Sequence, residues 1–187
     1  TSGDYNNDGR PDLYVSRRGG PNTLFRNDGP QPGAADRCAW TFTNVSQQAG
    51  VTEPNYSFPA WFFDYDNDGW LDLFVSGYMF NGPEDIAADY LGLPHTAERP
   101  RLYHNNGDGT FTDVRRRMGL DRVLHAMGCN YGDLDNDGWL DFYVGTGDPN
   151  LGSLIPNLQF RNAEGKFFQD VTTSAGVGHL QKGHGVA

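Results

Sequence analysis

The chain has 187 residues, with 24 acidic against 14 basic side chains and a net charge of −10. That charge excludes a nucleic-acid partner, whose phosphates demand Lys and Arg, and no apolar run is long enough for a membrane-spanning helix. With 25 Gly, 11 Pro and 13% aromatic residues the composition predicts many turns and short strands, and two cysteines are too few for a disulfide scaffold.

The first predicted element is a loop, DYNNDGRPD, at residues 4–12, running into the apolar segment LYVS. The pattern returns as DYDNDGWLD at 64–72 and as DLDNDGWLD at 133–141, each again followed by β-branched and aromatic residues. Oxygen-bearing side chains occupy positions 1, 3, 5 and 9, and Gly occupies position 6. Two carboxylates about 4 Å apart repel by roughly 4 kcal/mol at an effective dielectric of 20, so each cluster asks for a counter-charge. Odd-numbered side chains converge when the backbone curls, Gly at 6 permits the sharp turn, and hard oxygen donors in this number suit Ca²⁺.

The candidate ligands are Asp4, Asn6, Asp8 and Asp12, then Asp64, Asp66, Asp68 and Asp72, then Asp133, Asp135, Asp137 and Asp141. The backbone carbonyls of Arg10, Trp70 and Trp139 are expected at position 7. An EF-hand is excluded because it needs Glu at position 12, where this chain has Val15, Val75 and Val144. Three Ca²⁺ ions add six positive charges and so offset most of the net −10. Asn6 leaves the first loop with three formal charges where the others have four.

After each loop and strand comes a hairpin module. It reads TLFRNDG then FTNVSQQAGV in the first copy, RLYHNNGDG then FTDVRRRMGL in the second, and LQFRNAEG then FFQDVTTSAGV in the third. Four antiparallel strands in a repeat of about 60 residues make up a propeller blade. The fold expected is therefore all-β: about three four-stranded antiparallel blades of an incomplete propeller, each with its Ca²⁺ loop between first and second strands.

A single repeat array over 1–187 divides into a first blade at 1–50 lacking its first strand, a second at 51–120 with an insertion at 77–100, and a third at 121–178. Residues 179–187 read as an orphan first strand of a next blade. The insertion carries a short helix at PEDIAADYLG and offers Tyr78, Phe80, Tyr90, Leu91 and His95 as a recognition surface. The five histidines are scattered without metal-ligand spacing, and Asn44, Asp113 and Asp170 read as structural hydrogen-bonders. Cys38 and Cys129 fall in non-adjacent blades, so no disulfide is expected between them.

The DxDxDGxxD loops between strands resemble the FG-GAP/VCBS repeats, the calcium-stapled blades also found in integrin α-subunit propellers. The LFRNDG…FTNVSQQAGV module is similar to ASPIC/UnbV and cartilage acidic protein-type repeats. The resemblance implies a Ca²⁺-dependent propeller that is secreted, at the cell surface or periplasmic, with ligand contacts on the face opposite the loops. No nucleophile elbow, HExxH, P-loop or dinucleotide fingerprint is present, so no enzyme is expected. The expected role is structural, adhesive or assembly-forming, with protein partners: another copy added head-to-tail by strand addition, or other blades of a larger propeller. The alternative is a glycan partner, as a carbohydrate-binding module or the non-catalytic part of a polysaccharide-active enzyme.

Overall fold

The computed structural model describes residues 1–31, 33, 39–79, 81–147, 155–180 and 183–186. Strands β1 (Ser2–Gly3), β2 (Asp12–Val15), β3 (Thr23–Pro30) and β4 (Trp40–Asn44) form one antiparallel sheet in that order. β5 (Ser57–Phe63), β6 (Asp72–Gly77), β7 (Arg101–Asn105) and β8 (Phe111–Asp113) form a second. β9 (Ala126–Gly132), β10 (Asp141–Thr146), β11 (Leu158–Asn162) and β12 (Phe168–Asp170) form a third. The expectation of an all-β chain with three four-stranded antiparallel units agrees with this. The register repeats as well, with Leu13 opposite Phe25, Leu73 opposite Tyr103, and Phe142 opposite Phe160.

The sheets stand side by side, and the core is the pair of layers between them. β6 carries Leu73 and Val75 on one face and Phe74 on the other, and all three are fully buried. Leu73 and Val75 pack with Tyr14, Leu24, Phe62 and Phe111. Phe74 packs with Trp61, Phe63, Leu102, Phe142 and Phe160. A strand covered on both faces reads as a continuous apolar run, and DLFVSG does so. Aromatic rings fill the second layer: Phe74 and Phe142 lie 5.3 Å apart and Phe142 and Phe160 4.9 Å apart.

Asparagines stitch neighbouring sheets together. Asn105, at the end of β7, donates 2.8 Å to the Tyr5 carbonyl of the preceding repeat and 3.0 Å to Leu71 within its own. Asn162, at the end of β11, does the same to Tyr65 (2.7 Å) and Leu140 (3.2 Å). Both side chains are buried, so Asn105→Ala strands two carbonyls away from water. We expect it to cost about 2–4 kcal/mol in urea unfolding, against less than about 0.5 kcal/mol for the exposed Asn106→Ala.

The first sheet does have a first strand: Ser2 and Gly3 pair with Leu13 and Asp12, where the sequence led us to expect none. Two residues are too few to register as a strand in any composition pattern. Residues 179–180 and 183–186 carry no strand, and the expected orphan strand is not seen among them. The Asn157 and Gly183 amides donate to the carbonyls of His179 and Thr146, each at 2.9 Å, so this stretch lies along its own third sheet. Those bonds satisfy backbone groups that a free strand would leave open. Helices are few: α1 (Ser46–Ala49) and α3 (Thr172–Ala175) are single turns, and α2 (Pro83–Tyr90) occupies the expected place in the insertion.

Candidate metal centres

Residues 4–11, 64–71 and 133–140 are the links between the first and second strands of the three sheets, so all three acidic loops emerge from the same end. Gly9, Gly69 and Gly138 take φ of 83°, 88° and 88°, the left-handed conformation that makes position 6 a glycine. Asn7, Asn67 and Asn136 at position 4 are left-handed too, at 55°, 57° and 59°, a conformation Asn tolerates better than most residues.

The position-1 carboxylates hold the curl. Asp4, Asp64 and Asp133 accept the amides of Asp8, Asp68 and Asp137 with Oδ1 and those of Gly9, Gly69 and Gly138 with Oδ2, at 2.8–3.1 Å. Asp8, Asp68 and Asp137 accept the amides of Arg10, Trp70 and Trp139 at 2.8–3.0 Å. Asp12, Asp72 and Asp141, buried at the start of the second strands, each tie two segments together. Asp72 Oδ2 takes the Tyr65 amide (3.1 Å) and Oδ1 the Asn105 amide (2.8 Å), and Asp12 and Asp141 repeat both contacts.

Several features fit a divalent cation at the centre of each curl. Ligand oxygens of Asp64, Asp66 and Asp72 lie within 4.8 Å of one another, as do those of Asp133, Asp135 and Asp141. At position 3, Asn6 Oδ1 and Asp66 Oδ1 are buried with no hydrogen-bond partner, a condition buried oxygens rarely tolerate. Burial raises the carboxyl pKa of Asp12, Asp66, Asp72 and Asp141, and neighbouring loop carboxylates push the same way. Such carboxylates gain from a hard cation with oxygen preference, which is the chemistry of Ca²⁺.

The same shifts fix a pH dependence. In calcium-free protein these four groups hold protons more tightly folded than unfolded. They cost nothing below about pH 4, where both states are protonated, and destabilise increasingly as pH rises toward the folded values, about 8 for Asp72. Lowered carboxylates such as Asp28, held down by Thr43 and then Arg26, titrate below this window. Melts in chelator should therefore show Tm falling from about pH 5 to about pH 8, and saturating calcium should flatten that slope. A Tm that rises across the range in chelator would contradict the burial argument.

Loop-to-loop contacts were not expected from the sequence. Asn7 Nδ2 donates to the Gly69 carbonyl (3.0 Å) and Asn67 Nδ2 to that of Gly138 (3.1 Å), chaining the three loops. The signal available was the Asn at position 4 in every copy. Nitrogen-bearing partners were missed as well: Arg10 pairs with Asp8, Arg161 with Asp135 and Asp137, and His104 approaches Asp66 and Asp72. His104 has no metal-ligand spacing in sequence, because strand pairing and not local spacing brings it to the loop.

The expected recognition surface is only partly presented. The His95 side chain is 8% exposed, with Nε2 3.1 Å from Asp89 Oδ1, and Arg99 bridges Asp89 and Asp121, so the insertion packs on itself and on the turn after β8. Tyr78 stacks on His125 at 4.7 Å, Tyr90 and Leu91 are exposed, and Phe80 lies outside the described residues. This insertion, together with the segment 53–55 ahead of β5, Arg101 and Arg115, lines a polar cleft of about 520 Å³ at the end opposite the loops. Asn44, Asp113 and Asp170 hydrogen-bond as expected, each accepting the amide two residues on. Cys129 is half-buried, which pushes its thiol up to about 12, and Cys38 lies outside the described residues.

The FG-GAP-like repeat matches this chain at residues 4–75 and 85–144. Cartilage acidic protein 1 of Homo sapiens is 27% identical over 142 residues, which is 73% of this chain and 19% of that protein. The chain thus spans about a fifth of the length of that relative.

Proposed function

The chain belongs to the FG-GAP-like repeat family, and from that premise we propose that it is a calcium-stabilised, extracellular segment of β-propeller blades with a structural or assembly role and no catalysis. The observation that carries this reading is the threefold repetition of one loop geometry at one end of three sheets, with unpartnered buried oxygens on Asn6 and Asp66. A Ca²⁺ ion in each curl would be held by the side chains at positions 1, 3, 5 and 9 and the carbonyl at 7. It would tie the first two strands of each blade together. The carboxylates are thereby committed to metal, which leaves none poised as a general acid. The human relative takes its name from cartilage and from its acidity. This chain shares the acidity, at −10.

Assembly is supported by apolar positions that are buried in one repeat and open in another. Leu13 is 41% exposed, whereas its equivalents Leu73 and Phe142 are fully buried. Leu134 is 53% exposed, whereas Tyr5 and Tyr65 are 3% and 0%. Both faces suit another blade, since exposed apolar surface marks a site of protein contact. Limited proteolysis tests the calcium staple. With calcium the three loops should resist cleavage, and in chelator they should be cut first. Loops cut at the same rate in both conditions would overturn the reading.

A further inference from the structure

Repeat equivalence isolates one exchange of residue. Just before the stitching Asn of the third strand stands Arg26 in the first repeat and Arg161 in the third, but His104 in the second. Arg161 reaches its loop as a plain cation, with Nη2 2.8 Å from Asp137. Arg26 turns aside to Asp28 at 2.7 Å. His104 instead places Nδ1 3.3 Å from Asp66 Oδ2 and 3.2 Å from Asp72 Oδ1. That nitrogen is buried and closes no hydrogen bond with either, and the adjacent Asp66 Oδ1 is buried and unpartnered too. Ligand atoms of Asp66, Asp68 and His104 lie within 4.8 Å of one another.

The 3.3 Å between His104 Nδ1 and Asp66 Oδ2 has the length of an edge in a small coordination shell. Metal–ligand bonds of about 2.1 Å put neighbouring donors about 3.0 Å apart in an octahedron and about 3.4 Å apart in a tetrahedron. Calcium takes oxygen donors at longer distances, whereas an imidazole nitrogen with carboxylates suits zinc and its first-row neighbours.

We propose that the second loop is a dual site, taking Ca²⁺ through its oxygens and binding zinc-like divalent cations through His104 Nδ1 with Asp66 and Asp68, while the first and third loops lack this second mode. The inference rests on the reading of the loops as cation sites. Its rival is a counter-charge role for His104, equivalent to that of Arg161.

Cobalt titration of the calcium-free chain separates the two, because Co²⁺ stands in for Zn²⁺ and its visible absorption reports the donor set. One cobalt should bind with an absorption band that zinc abolishes. Both His104→Gln and His104→Arg should weaken it at least about tenfold, since even outer-shell losses cost about 10–100-fold. His104→Arg supplies a permanent positive charge and copies the other repeats, so its loss of cobalt excludes the counter-charge role. Calcium affinity, measured in the same samples, should change less than about threefold. Cobalt affinity within about threefold of wild type in His104→Gln would overturn the inference. If calcium still binds in that case, the calcium reading survives the failure. Absence of calcium binding in the unmodified chain would defeat that reading instead.

Discussion

Removing calcium should lower the melting temperature of this chain by about 15–30 °C. A site saturated at 100 times its dissociation constant contributes about 2.7 kcal/mol, so three independent sites contribute about 8 kcal/mol. For a chain of this length each kcal/mol moves Tm by about 2–4 °C. The direction follows from the loops themselves: without the ion, the position-3 oxygens of Asn6 and Asp66 stay buried and unpartnered, and clustered carboxylates repel. The loops should not contribute equally. Asn6 brings no charge, and its amide already donates 2.9 Å to Asp8, so Asn6→Ala should lose less calcium stabilisation than Asp68→Ala or Asp137→Ala. Scanning calorimetry with calcium and with chelator checks both statements. Coincident melts would count against calcium in all three loops.

Asp72→Ala should destabilise the chain by about 2–6 kcal/mol even in chelator. Its two oxygens accept the amides of Tyr65 and Asn105, and the carboxylate is fully buried. Truncation leaves two buried donors unsatisfied at about 1–3 kcal/mol each. Asp68 makes a useful contrast because it is exposed and, among the described residues, accepts only the Trp70 amide, at 2.8 Å. Asp68→Ala should therefore matter mainly when calcium is present. Urea unfolding of both variants with and without calcium separates the scaffold role of position 9 from the metal role of position 5. Equal losses for the two in chelator would contradict the division.

The sequence carried the strands and loops because both are local patterns. LYVS, LFVS and FYVG are β-branched and aromatic, RNDG and NNGDG are hairpin chemistry, and a left-handed Gly at position 6 is written in each loop. The four-stranded units follow from those parts in order. What stayed hidden was made by distance. Asn105 and Asn162 reach carbonyls 100 and 97 residues away, and Asn7 and Asn67 reach across 62 and 71. His104 comes to the second loop only because β7 pairs with β6, so no spacing rule could mark it. β1 is invisible for another reason: two residues, one of them Gly, carry no propensity to read.

The central claim, one calcium in each of three equivalent loops, is tested most directly by counting bound calcium. Equilibrium dialysis of the chain against calcium should find three ions per chain. It should find two when position 1 of a single loop is replaced, whether by Asp4→Ala, Asp64→Ala or Asp133→Ala. A chain that takes up no calcium at millimolar concentration, or that keeps three after such a replacement, would contradict the account.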